Sequence, residues 1–266
     1  METVVAAMEK IAPPCLAETD WDNTGLIISP ADTAEDKRRA VLLTIDFTKE
    51  VAEEAVARGD VFAVVSYHPP IFRPIKTLST ENIPASMLAV KNNIAVYSPH
   101  TALDACSGGI NDWIAAGLPP KEENTVRPVN PSRLFPETGG GRFAVLKQEA
   151  TLEQIAASLK KHFGASYMRI AHAKHTPKIR KVAICAGAGA SLFRTLGEGV
   201  DCVVTGELSH HDVLWLVGKG TNVCMCEHDV SERGYLEQVL KRKLQALLPA
   251  LAVDVSTEDR CPITLA

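Results

Sequence analysis

The chain has 266 residues, 46% of them hydrophobic and 23% charged, a balance that suits a globular protein with one large core or two modest ones. A formal net charge of -4 removes any general electrostatic reason to bind nucleic acid or an anionic membrane. No apolar run reaches the roughly 18 residues that span a bilayer, and Met1-Glu2 does not open a basic secretory leader, so neither a membrane span nor a signal is expected.

Val4 to Ile11 predicts a short amphipathic helix that stops before Pro13-Pro14. Trp21-Asp22-Asn23-Thr24-Gly25-Leu26 reads as a turn-forming patch with a structural role. Val41 to Ile45 is a fully apolar strand. Thr48 to Arg58 follows as a helix, with Val51, Ala52, Ala55 and Val56 on one face and Gly59 closing it. Phe62 to Ser66 reads as a strand, Pro84 to Lys91 as a helix, Ile94 to Ser98 as a strand and Gly109 to Ala116 as a helix. Apolar strands alternating with helices predict a mainly parallel sheet covered on both faces.

From Pro119 to Gly141, prolines and the run Gly139-Gly140-Gly141 mark a lobe boundary. Strands are then expected at Phe143–Lys147, Val182–Ala186, Cys202–Thr205, Asn222–Cys226 and Ala252–Val255. Helices are expected at Leu152–His162, Ser191–Gly197, His210–Lys219 and, long and amphipathic, Ser231–Leu248. The expected fold class is α/β, two β/α lobes with mainly parallel sheets. The first lobe takes residues 1–128, completed by about 236–266, and the second takes 129–235.

Seven cysteines, scattered and odd in number, point to a reducing compartment. Cys185, Cys202, Cys224 and Cys226 sit in apolar stretches where a thiol packs as a small hydrophobe. Cys224-x-Cys226 lacks the usual two-residue gap of a zinc grip, and a buried strand is the better reading. The basic stretch Lys174, His175, Lys178, Arg180 and Lys181 reads as a solvated face.

Three polar clusters each follow a predicted strand: Ser66-Tyr67-His68-Pro69-Pro70, the stretch from Pro99-His100 to Asp104, and the stretch from Glu227-His228 to Glu232. Ligands bind at that edge of open α/β sheets, where the loops surround a crevice. In the second and third clusters a histidine and a carboxylate are four residues apart, which puts both on one side of a helix or tight turn. Imidazole with carboxylate suits zinc, manganese or iron, and a shared carboxylate can bridge two ions. The competing reading makes Ser231 a helix cap with Glu232 in the first turn. Cys185-Ala-Gly187-Ala-Gly189-Ala-Ser191 could cradle a phosphate, but it lacks the third glycine of the dinucleotide fingerprint, and a tight turn is preferred. His210-His211, after Thr205-Gly206-Glu207, read as residues behind the metal ligands or facing a substrate.

At these motifs the chain resembles the NGG-interacting-factor-three-like family, known also as GTP cyclohydrolase I type 2 homologs. The resemblance rests on Trp21 to Leu26, SYHPPIF from Ser66, SPHTALDACSGGIND from Ser98, Thr205-Gly206-Glu207 with His210-His211, EHDVSE from Glu227, and the tail Ser256 to Leu265. It implies two α/β lobes with a dinuclear metal centre in the cleft between them, and a ring-like homohexamer of dimers. Carried over, His68 and His228 look like ligands of one metal, Asp104 like a ligand of the other, and Glu232 like the group shared by both. His100 matches a site histidine behind the ligands or facing substrate. Many members have two adjacent histidines where this chain has Tyr67-His68. A phenol is a poor ligand near neutral pH, so Tyr67 puts the second metal in question. The expectation is thus one or two divalent metals per chain, as zinc, iron or manganese. The Tyr-His-Pro-Pro form resembles the eukaryotic branch, and a cytoplasmic location is expected. The leading functional reading is a metal-dependent hydrolase of a small nucleotide-like or phosphorylated substrate, with His100, His210 and His211 as acid–base candidates. The alternative is a non-catalytic regulatory or scaffold protein with protein partners and a structural or metal-handling site.

Overall fold

In the computed structural model, which describes residues 1–29, 37–120, 124–175 and 177–263, apolar strands build two sheets and helices pack on them. Residues 121–123 of the expected lobe boundary and 264–266 of the tail lie outside the described residues. In chain order the first elements are α1 (Glu2–Ile11), β1 (Gly25–Ile28), β2 (Ala40–Thr44), α2 (Lys49–Arg58), β3 (Val61–Ser66), α3 (Pro84–Lys91), β4 (Ala95–Ser98), α4 (His100–Ala105) and α5 (Ile110–Ala116). Next come β5 (Thr125–Arg127), β6 (Asn130–Pro131), β7 (Gly139–Gly140), β8 (Arg142–Ala150), α6 (Leu152–Phe163), β9 (Arg169–Ala171), β10 (Ile179–Ala188) and α7 (Ala190–Phe193). The last are β11 (Cys202–Glu207), α8 (His210–Gly218), β12 (Asn222–Met225), α9 (Val230–Tyr235), a π-helical turn at Leu236–Leu240, α10 (Lys241–Leu247) and β13 (Ala252–Val255). Two compact units result: residues 1–103 with 235–266, and residues 104–234. Among the described residues no helix is long and apolar enough to cross a membrane.

The first unit carries a five-stranded sheet in the order β1-β4-β3-β2-β13. Its four strands β4, β3, β2 and β13 are parallel, as the apolar runs predict, and β1 joins β4 antiparallel at the edge. All five residues of β2 are buried. Leu42, Val64 and Val96 on the sheet pack with Val51, Ala52 and Ala55 of α2 and Ala85 and Ala89 of α3. Thr48 caps α2, its hydroxyl accepting from the Val51 amide, and Gly59 ends it in the left-handed region at φ +70°.

The six-stranded sheet of the second unit has the order β5-β8-β10-β11-β12-β9. Only β10-β11-β12 is parallel. β5–β8, β8–β10 and β12–β9 pair antiparallel, which corrects the expectation of a mainly parallel sheet here. The cause is visible in β8, where Arg142, Ala144 and Leu146 are buried and alternate with less buried residues. That two-residue period marks a strand with one wet face, which an antiparallel neighbour tolerates. The helix expected from Ser191 to Gly197 is a single turn, α7. The long final helix forms, but the π-helical turn interrupts it.

Candidate metal centre

In the first unit the chain leaves β3 still tied to its neighbour. The Tyr67 amide donates to Thr44 O and the His68 amide to Ile45 O, each at 2.9 Å. Ser66 Oγ donates to His68 O at 2.6 Å, and Pro69-Pro70 prevent a helix from starting at once. His68 Nδ1 lies 2.9 Å from Asp46 Oδ1, a contact that favours the Nδ1–H tautomer, in which Nε2 is the nitrogen that could meet an ion.

His100 opens α4 at φ +27°. Its Nδ1 is 2.6 Å from Asp22 Oδ1. The Thr101 amide donates to Asp22 Oδ2 at 3.2 Å, and the Thr101 hydroxyl donates to the same oxygen. The Asp22 side chain is only 1% exposed. Burial pushes its carboxyl up, but the hydrogen bonds from His100 and Thr101 outweigh that and hold it below the usual carboxylate range. Asn23 Nδ2 donates to Ile71 O at 2.5 Å, tying this turn to the segment after His68. The rings of Trp21, Tyr67, Phe72 and His68 surround His100 at centroid distances of 6.2, 5.5, 5.9 and 5.5 Å. The turn read as structural therefore holds His100, a candidate site residue, through Asp22 and Trp21. Tyr67 itself is buried among these rings.

In the second unit, β12 leads into Glu227 at φ +78° and then His228, while α9 presents Glu232. His228 Nδ1 is 3.0 Å from Glu207 Oε1, and its Nε2 is 3.3 Å from Glu232 Oε1. The Glu232 side chain is 1% exposed. Ser231, a helix cap only in the competing reading, donates from Oγ to His228 O at 2.6 Å and accepts from the Gly187 amide at 2.8 Å. Gly187 sits at φ +56°, and a Cβ there would come within 2.7 Å of Glu232 Oε1 and 2.8 Å of His228 Nε2. A glycine near the end of β10, where the strand register shifts, thus leaves the space beside these two groups open.

Asp104 lies on α4, its carbonyl accepting from Asn111 Nδ2 at 3.2 Å. Arg142 Nη2 donates to the following carbonyls, Ala105 O at 3.3 Å and Cys106 O at 2.8 Å. Burial raises the Cys185 thiol, and the charges of Asp104 and Glu232 both add to the effect.

His68, His228 and Glu232 each offer a ligand atom within 4.8 Å of the others, a group that could hold a metal ion. Ions bound at roughly 2.0–2.2 Å keep their donors about 3–4 Å apart, so the spacing calls for small side-chain adjustments only. Two imidazoles and one carboxylate suit a borderline divalent cation, and the open space at Gly187 removes a steric objection. Asp104 and His100 stand outside this group of three. His210 and His211 are exposed at the start of α8, after its Ser209 cap. Among the described residues their ring contact is with each other, at 5.6 Å. Asp22, Asp46, Glu207 and Gly187 were not singled out as site residues from sequence; the T-G-E and glycine-rich motifs were the available signals for the last two.

Residues 1–262 match the family model described as Duf34/NIF3 (NGG1p interacting factor 3). NGG1-interacting factor 3 of Saccharomyces cerevisiae is 38% identical, covering 100% of this chain and 97% of that protein. NIF3-like protein 1 of Drosophila melanogaster is 39% identical over 99% of this chain and 88% of its own length. The fold matches that of the crystallised Bacillus cereus protein related to NIF3, with TM-score 0.78 at 22% identity over 100% of this chain and 98% of that one. The chain belongs to the Duf34/NIF3 family.

Proposed function

We propose that His68, His228 and Glu232 hold a divalent metal ion, as zinc, iron or manganese, in a metal-dependent hydrolase of a small nucleotide-like or phosphorylated substrate. The observation that carries the reading is the approach of these three donor atoms to within 4.8 Å. When bound, the ion would supply Lewis-acid polarisation of a substrate oxygen. Asp104 is the candidate ligand for a second ion, and the buried phenol of Tyr67 at the neighbouring position favours one ion per chain over two.

His100 is the proton carrier in this reading. With Nδ1–H given to the buried Asp22 carboxylate, Nε2 is the atom that takes a proton from an attacking nucleophile or returns one to a leaving group. His210 and His211, exposed on α8, are better suited to meeting a bound substrate than to moving its proton. The reading extends to a cytoplasmic protein that assembles as a hexameric ring of dimers. Metal-reconstituted protein is to be screened against nucleotides, phosphoesters and cyclic amidines. Turnover that disappears in Glu232→Ala is the expected result, and no turnover above that variant would overturn the hydrolase reading.

A second reading is favoured by the name of the yeast relative, NGG1-interacting factor 3. The chain would then bind a protein partner and use the metal for structure. Under this reading, chelation changes partner capture or thermal stability while no substrate is turned over.

A further inference from the structure

The two candidate ligand histidines are held in the same way in the two units. In the first, β2 lies parallel to β3, with Thr44 paired to Ser66. Two residues beyond Thr44, Asp46 meets Nδ1 of His68, which stands two residues beyond Ser66. In the second unit, β11 lies parallel to β12, with Thr205 paired to Met225. Two residues beyond Thr205, Glu207 meets Nδ1 of His228, which stands three residues beyond Met225. Thr44-x-Asp46 and Thr205-x-Glu207 are thus equivalent devices: a strand end sends a carboxylate across to the histidine of the next parallel strand.

Stability does not account for this repetition. The Asp46 and Glu207 side chains are 44% and 50% exposed, and ion pairs so open to water contribute little to folding. Geometry does account for it. Engaging Nδ1 fixes the tautomer and the ring plane, which turns Nε2 toward the ligand position and raises its basicity. We propose that Asp46 and Glu207 are a matched pair of positioning carboxylates, each aiming one imidazole, so that His68 and His228 present Nε2 to the same ion. The inference rests on the metal reading above.

The test uses full-length Asp46→Ala and Glu207→Ala, the conservative Asp46→Asn and Glu207→Gln, and His68→Ala as reference. Zinc affinity is measured by competition with a chelator, the imidazole tautomers of the metal-free protein by nitrogen NMR, and thermal stability of the metal-free protein alongside. Each alanine variant is expected to bind zinc about 10–100-fold more weakly and to lose the Nδ1–H tautomer of its own histidine. The metal-free Tm should stay unchanged, and the amide variants, which keep an accepting oxygen, should recover most of the affinity. Wild-type zinc affinity in both alanine variants, with binding lost in His68→Ala, would overturn the pairing and leave the metal reading standing. Weakened binding accompanied by a lowered metal-free Tm, with no recovery in the amide variants, would make the two residues structural and equally overturn it. A wild-type protein that binds no zinc, iron or manganese would remove the metal reading itself, and the pairing with it.

Discussion

Gly187 is the residue at which backbone conformation and site chemistry meet most closely. Its φ of +56° already disfavours a side chain, and an added methyl would lie 2.7 Å from Glu232 Oε1. Gly187→Ala should therefore displace Glu232 and His228 and weaken metal binding at least tenfold, measured by equilibrium dialysis. Unaltered affinity would mean the two groups do not act where they stand. Asp22 gives a prediction with a pH sign. Its carboxyl is held below the ordinary value in the folded state, so its contribution is fully present above the unfolded value, roughly 3.9, and fades as pH falls through the lower folded value. Asp22→Asn should cost about 1–3 kcal/mol near pH 7, and the gap from wild type should shrink on acidification below about pH 4. Urea unfolding at both pH values measures this. Placement after an apolar strand singled out His68 in the sequence, while the histidine–carboxylate spacing of four singled out His228 with Glu232 and equally His100 with Asp104, which stand outside the group of three. Asp46 was not legible, because a single acidic residue after a strand has no local pattern that announces which histidine it will meet.

Elements fix where those residues stand. Arg142, at the start of β8, is 1% exposed and holds Asp112 of α5 through Nε at 2.5 Å and Nη2 at 3.0 Å. It also donates to the carbonyls of Gly139, Gly141, Ala105 and Cys106, and so pins the end of α4 that carries Asp104. Arg142→Met should cost about 1–3 kcal/mol, because it removes the donor shared by four carbonyls and by Asp112, which keeps the Gly108 amide, and a fall in the denaturant midpoint would show it. The capping box of α6, where the Thr151 hydroxyl and the Gln154 side chain exchange hydrogen bonds with each other's backbone, is a milder case. Thr151→Ala should cost about 1 kcal/mol by the same measurement. The parallel strands β2, β3 and β4 were legible as unbroken apolar runs, and α2 from its apolar face and closing glycine. By contrast, β5 has three exposed residues and β9 also lacks a buried one, so their membership of a sheet comes from edge pairing and not from burial. Residues 142–150 carried a strand-like alternation, but which neighbour they pair with, and in which direction, is a tertiary choice.

For the whole molecule, residues 1–262 match the Duf34/NIF3 family model and the fold is that of the Bacillus cereus protein, and each of the two mixed α/β units holds one histidine against a carboxylate. A bound ion would also act on stability, since ligand at 1,000 times its dissociation constant adds about 4.1 kcal/mol to the folded state. The claim on which both proposed functions and the paired carboxylates depend is that His68, His228 and Glu232 share a metal. Elemental analysis of purified wild-type protein beside His68→Ala and Glu232→Ala tests it directly. The expected result is close to one divalent transition metal per wild-type chain and a marked loss in both variants; a metal-free wild type, or equal metal in all three, would contradict it.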